Sequence, residues 1–103
     1  MKTSKGCNMK GLLSFQILWL LSKKEMYGDE IAEEIGKRRG EKPKPSTIYP
    51  ALKELSDNGL IIGKKTNKII IYKLTSIGIK EVHKTTEYFC RSFGEILEEN
   101  KNR

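Results

Sequence analysis

The chain has 103 residues, with 20 Lys and Arg against 13 Asp and Glu, a formal net charge of +7. That length suits one small domain that buries only roughly two-thirds of its unfolded surface, so pairing with a second copy would add stability. A single histidine, His83, and two cysteines without CxxC spacing argue against a zinc site built from this chain alone.

Residues 1–8 are polar and read as a loose end. From Met9 to about Ser22 the apolar residues cover more than one face, as in a helix that is central or that also meets a second chain. Ser14 and Gln16 interrupt its Leu12–Leu21 run, which is too short to span a bilayer. No small-residue cleavage site follows it, so the reading is cytoplasmic, with no membrane partner. After a turn at Lys23–Met26, a second helix is expected from Tyr27 or Gly28 to Lys37. Ile31, Ala32 and Ile35 face inward, with acids in the first turn and Lys37-Arg38-Arg39 near the end.

Gly40–Pro45 is a loop by composition. A third helix is expected from Thr47 to Asn58, with Ser46 as N-cap, Pro50 in about the first turn, and Asn58-Gly59 as the stop. Ile48, Leu52 and Leu55 form one apolar stripe, which leaves Thr47, Tyr49, Pro50 and Lys53 on other faces. Leu60–Lys65 and Ile69–Leu74 read as strands of a β-hairpin, with Asn67 able to take a positive φ in the turn. Thr75 can cap a last helix reaching roughly Glu99, with Val82, Phe89, Phe93, Ile96 and Leu97 at three-and-four spacing and Thr86 in the gap.

The expected architecture is mainly α with a small β-hairpin: a winged helix-turn-helix domain over 9–75, then a C-terminal dimerisation helix over 76–99 in the same compact unit. Residues 100–103 read as a second loose end. The positive surplus lies on the body, since residues 1–80 hold 16 Lys and Arg to 8 Asp and Glu, and residues 81–103 hold 4 to 5. Such a surplus favours polyanions through phosphate neutralisation, although solubility alone would also account for it.

These residues resemble the PadR family of transcriptional regulators over about 12–80. The resemblance rests on Ile17-Leu18-Trp19-Leu20-Leu21, Tyr27-Gly28-Asp29-Glu30-Ile31, Ser46-Thr47-Ile48-Tyr49-Pro50-Ala51-Leu52 with Leu55, Asn58-Gly59-Leu60-Ile61, and Tyr72-Lys73-Leu74-Thr75 before Gly78. The short tail looks like the smaller PadR-like subgroup, with one C-terminal helix for dimerisation. What the resemblance implies is a homodimer on double-stranded operator DNA, commonly a repressor, often relieved by a small ligand. It also implies a dimer contact built from the first and last helices. Two departures stand out: Ile69-Ile70-Ile71 where relatives often carry basic or polar residues, and Ser46 where a Gly often stands.

For DNA contact, Thr47, Tyr49 and Lys53 are expected on the reading side of the third helix, with Ser46 at its start. Lys42 and Lys44 flank the preceding loop, and Lys64, Lys65, Asn67 and Lys68 lie on the hairpin as phosphate contacts. For the dimer seam the candidates are Leu12, Phe15, Trp19, Val82, Phe89, Phe93, Ile96 and Leu97. Trp19 could also stack on a small hydrophobic or aromatic effector, although core packing is the plainer reading. Cys7 and Cys90 read as free thiols, and a bridge between them has no support. No nucleophile elbow, phosphate-binding Gly loop or metal motif appears, so the chain reads as no enzyme, without cofactor or metal. If dimeric, it would present two recognition helices roughly 34 Å apart to a palindromic site. A winged-helix protein-interaction module, suggested by the isoleucine run, and a sequence-indifferent architectural DNA binder are the competing readings.

Overall fold

The computed structural model describes residues 9–101, with side chains over 11–100. Expectations for residues 1–8, Cys7 among them, and for 102–103 lie outside the described residues. The elements run α1 (Met9–Leu21), β1 (Met26–Tyr27), α2 (Gly28–Arg39), α3 (Pro45–Asp57), β2 (Ile61–Thr66), β3 (Ile69–Leu74) and α4 (Ser76–Lys101). This is the winged-helix layout, mostly helical with a small antiparallel sheet. No described helix is long and apolar enough to cross a membrane.

The expected hairpin gains a third strand. β1 pairs with β3 through Met26↔Tyr72 and Tyr27↔Ile71, which gives the sheet order β1-β3-β2. Two residues are too few for an alternating pattern to show in the sequence. Pairing fixes Met26, 3 % exposed, in the core, while Tyr27 stays exposed. β2 and β3 pair from Ile61↔Leu74 to Thr66↔Ile69, and Asn67 takes φ 57° in the two-residue turn, as expected.

α4 runs on to Lys101, past its expected end near Glu99 and into the expected loose end, and the expected start of α3 is also corrected. α3 begins at Pro45, with the Lys44 carbonyl accepting from the Thr47 and Ile48 amides at 2.8 and 3.0 Å. Ser46 therefore lies inside the first turn and caps nothing, because Pro45 takes the first helical position that suits its fixed φ and missing donor. Pro50 consequently falls further into the helix than expected. Its missing N–H leaves the Ser46 carbonyl without its helical donor, and that carbonyl belongs to an exposed residue near the helix start. The stop is as expected: Gly59 has φ 77°, and the Leu60 and Gly59 amides donate back to Leu55 and Ser56 at 3.0 Å each.

The core lies under α1, α2 and α3. Ile17, Ile31 and Ile35 are completely buried, and Ile48, Leu52 and Ile61 nearly so. Burying each such side chain stabilises the fold by roughly 1.5–3 kcal/mol. Thr75 joins the start of α4 to the end of α3, as its Oγ1 accepts from the Gly78 amide at 3.1 Å and donates to the Gly59 carbonyl at 2.6 Å. Gly78 lies so close to the Leu60 carbonyl oxygen that a Cβ there would collide with it.

Candidate nucleic-acid interface

The apolar stripe Ile48, Ala51, Leu52 and Leu55 fastens α3 to the core, which leaves Ser46, Thr47, Tyr49, Pro50 and Lys53 exposed. Hydroxyls, an aromatic and a cation thus share the free surface of one helix. Lys53 pairs with Asp57 one turn on, at 2.9 Å, with both side chains well exposed. A pair of this kind is worth under about 1 kcal/mol, so the ammonium is readily released to a phosphate or base.

Tyr49 is 47 % exposed, and its ring reaches across to α2. A Cβ built on Gly28 would sit 2.6 Å from the Tyr49 ring and hydroxyl, so glycine at the start of α2 is what seats this side chain. Tyr27, Gly28, Tyr49, Lys68, Ile69, Ile70 and Tyr72 line a notch of about 210 Å³ between α3 and the wing. Burial, with the neighbouring Tyr49 adding to it, holds the Tyr72 phenol above its ordinary range. Tyr27 and Tyr72 are not among the residues that the sequence marks for this place. The Tyr-Gly at the start of α2 was the available signal, since a glycine there leaves room for a large neighbour.

On the wing Lys64, Lys65, Asn67 and Lys68 are all exposed, as expected. Adjacent strand residues point to opposite faces, so Lys64 lies opposite Ile71 on one face and Lys65 opposite Ile70 on the other. The two lysines therefore do not form one row. Lys44 is exposed at the N-cap of α3. Lys42 differs from expectation: its Nζ is held by Asp29 at 3.0 Å and by Glu33 at 3.2 Å, both on α2. Those hydrogen bonds, Asp29's first, hold the ammonium above its ordinary range. The basic end of α2 is likewise engaged within the protein. Arg38 and, after it, Lys37 bind Glu34 and hold its carboxyl below its ordinary range, and Arg39 Nε donates to Gln16 at 2.7 Å.

A three-helix body whose third helix keeps a free polar face, joined to a two-stranded wing that carries lysines, is shared with known regulators. The sequence profile of the transcriptional regulator PadR-like family matches residues 17–84. The chain belongs to that family. Among solved structures it is similar to Bacillus subtilis PadR in complex with operator DNA, at 34 % identity and TM-score 0.67, covering 73 % of this chain and 46 % of that one. A transcriptional regulator from Clostridium thermocellum is 28 % identical with TM-score 0.74, over 87 % of this chain and 91 % of that one. H. salinarum RosR is also 28 % identical with TM-score 0.74, over 79 % and 74 %. No curated protein matches the sequence.

In this PadR-like regulator the expected seam residues divide into two groups. Leu12, Phe93, Ile96 and Leu97 are exposed, and the rings of Phe15, Phe89 and Phe93 follow one another, the first pair stacked at 6.3 Å between centroids and the second tilted at 5.0 Å. Val82, 7 % exposed, is a correction: it is buried in the chain's own core and leaves nothing for a partner. Trp19 packs against that core as well, with Lys23 Nζ 4.8 Å and Arg38 Cζ 5.4 Å from its ring. It lines a groove of about 670 Å³ that runs past Leu74, Ile79, Val82 and His83 to α4. Cys90 is a free, exposed thiol.

Proposed function

We propose that this PadR-like regulator binds operator DNA sequence-specifically as a homodimer, acting as a repressor in the cytoplasm. The observation that carries the reading is the free face of α3, where Thr47, Tyr49 and Lys53 stand exposed on a helix whose other side is anchored in the core. Residues 9–75 form the DNA-binding unit, and residues 76–99 carry the dimer contact. Lys44, Lys64, Lys65, Asn67 and Lys68 supply phosphate contacts around the helix, which positions it without reading sequence. The B. subtilis relative, solved with operator DNA, supports this assignment.

For the dimer, the support is the apolar face of α4. Phe93, Ile96 and Leu97 lie exposed beside Phe89, and Leu12 and Phe15 extend the face onto α1. An apolar face of that kind is stable in water once a second copy covers it. The groove beside Trp19 is the place for a small hydrophobic or aromatic effector, because Trp19, Leu21, Leu74, Ile79 and Val82 line it together with polar and charged side chains.

The test is to select bound duplexes from a random-sequence DNA pool and to sequence them. The expected result is one enriched palindromic motif with half-sites about one helical turn apart. Recovery without sequence enrichment would favour an architectural binder, and no recovery at all would favour a protein-interaction module.

A further inference from the structure

The loop that leads into the recognition helix has little of its own to hold it. Among the described backbone hydrogen bonds, none is donated by an amide between Glu41 and Ser46. Pro43 and Pro45 have no amide hydrogen to offer, and the first helical bonds begin only at Thr47 and Ile48. Apolar packing does not close the gap either. A cleft of about 300 Å³, lined by residues that include Ala32, Pro43, Pro45, Ile48 and Tyr49, runs between this loop and α2.

One side chain spans the gap. The Lys42 ammonium lies between the Asp29 and Glu33 carboxylates on one face of α2, and these two are the only ion pairs described for the loop. The loop backbone also abuts α2 beside this pairing, for a Cβ at Gly36 would sit 2.9 Å from Lys42 Cα. At the other end of the cleft, the Tyr49 ring rests on Gly28.

We infer that Lys42 is a positioning residue: with Asp29 and Glu33 it clamps the loop to α2 and so sets where the N-terminus of α3, with Thr47 and Tyr49, is presented to DNA. This rests on the DNA-recognition reading above. It replaces the phosphate contact that the sequence suggested for Lys42.

Charge makes the two roles separable. Asp29 and Glu33 repel DNA, so neutralising them should on charge alone tighten binding to any duplex. If they clamp the loop, the same change misplaces the reading residues. The experiment compares Asp29→Asn/Glu33→Gln with the unaltered protein on the selected operator and on a scrambled duplex, at several salt concentrations. The expected result is a loss of about tenfold on the operator, the scale of a spoiled base contact, with no loss on the scrambled duplex. Lys42→Arg should retain the operator preference, because it keeps a cation that can reach both carboxylates. Equal or tighter binding of the double variant to both duplexes would overturn the clamp. So would a Lys42→Met variant whose salt slope falls by about one on both duplexes, the mark of a lost phosphate contact.

Amide hydrogen exchange without DNA gives a second, separate measure. Faster exchange at Thr47 and Ile48 in the double variant is expected, and unchanged exchange would contradict the clamp whatever the DNA does. If the unaltered protein fails to distinguish the duplexes, it is the recognition reading that fails, and the exchange result shows whether the contact still orders the loop.

Discussion

Tyr49 illustrates how a residue's role depends on what it rests against. Its exposure suits a DNA reader, but its ring is seated on Gly28, which restricts where the hydroxyl can point. Gly28→Ala should fold with little change in melting temperature, because the half-exposed ring can swing away from an added methyl. Operator affinity should nevertheless fall, and anisotropy titration alongside a thermal melt would show whether the two effects separate. Tyr49→Ala and Lys53→Ala should each cost about 1–3 kcal/mol on the selected operator if the residue reads a base. Unchanged affinity in a folded variant would remove that residue from the interface. Thr47, Tyr49 and Lys53 were visible in the sequence because they fall off the stripe of Ile48, Leu52 and Leu55. The pairing of Lys42 is not legible in the sequence, because its partners, Asp29 and Glu33, belong to another helix, and a charged loop residue carries no periodic sign of such a contact.

At the scale of elements, legibility followed the strength of the local signal. β3 was found at its true ends, since Ile69–Leu74 is β-branched and aromatic and is bounded by an Asn turn and a capping Thr. β1 was not found, because only its pairing with β3 makes Met26–Tyr27 a strand. The start of α3 was misplaced because two rules competed over adjacent residues: Ser46 suits an N-cap, whereas Pro45 suits the first helical position. Thr75 ties the start of α4 to the end of α3, through its contacts to Gly59, Leu60 and Gly78. Thr75→Ala should therefore lower stability by about 0.5–2 kcal/mol, measured by urea denaturation. Loss of both the cap and the tie to Gly59 predicts a value towards the upper end. A change within a few tenths of a kcal/mol would show that solvent replaces these bonds without penalty.

For the whole molecule, the decisive feature is an apolar face on α1 and α4 that one chain does not cover. The sequence signalled it through helices with more apolar positions than a single core can use, but could not separate outward residues from inward ones. Val82 shows why: its spacing matches Phe89 and Phe93, yet it is buried in the chain's own core. Phe93→Glu combined with Ile96→Glu should shift the protein to monomer in analytical ultracentrifugation and weaken operator binding sharply. A dimer that survives both changes would place the interface elsewhere. The most direct measurement of the account is a titration of the selected operator and of a scrambled duplex with the purified protein, at several salt concentrations, with stoichiometry read at saturation. Two protomers per operator are expected, with a preference of about a thousandfold over the scrambled duplex and affinity that falls steeply with salt. Equal affinity for both duplexes, or one protomer per site, would contradict it.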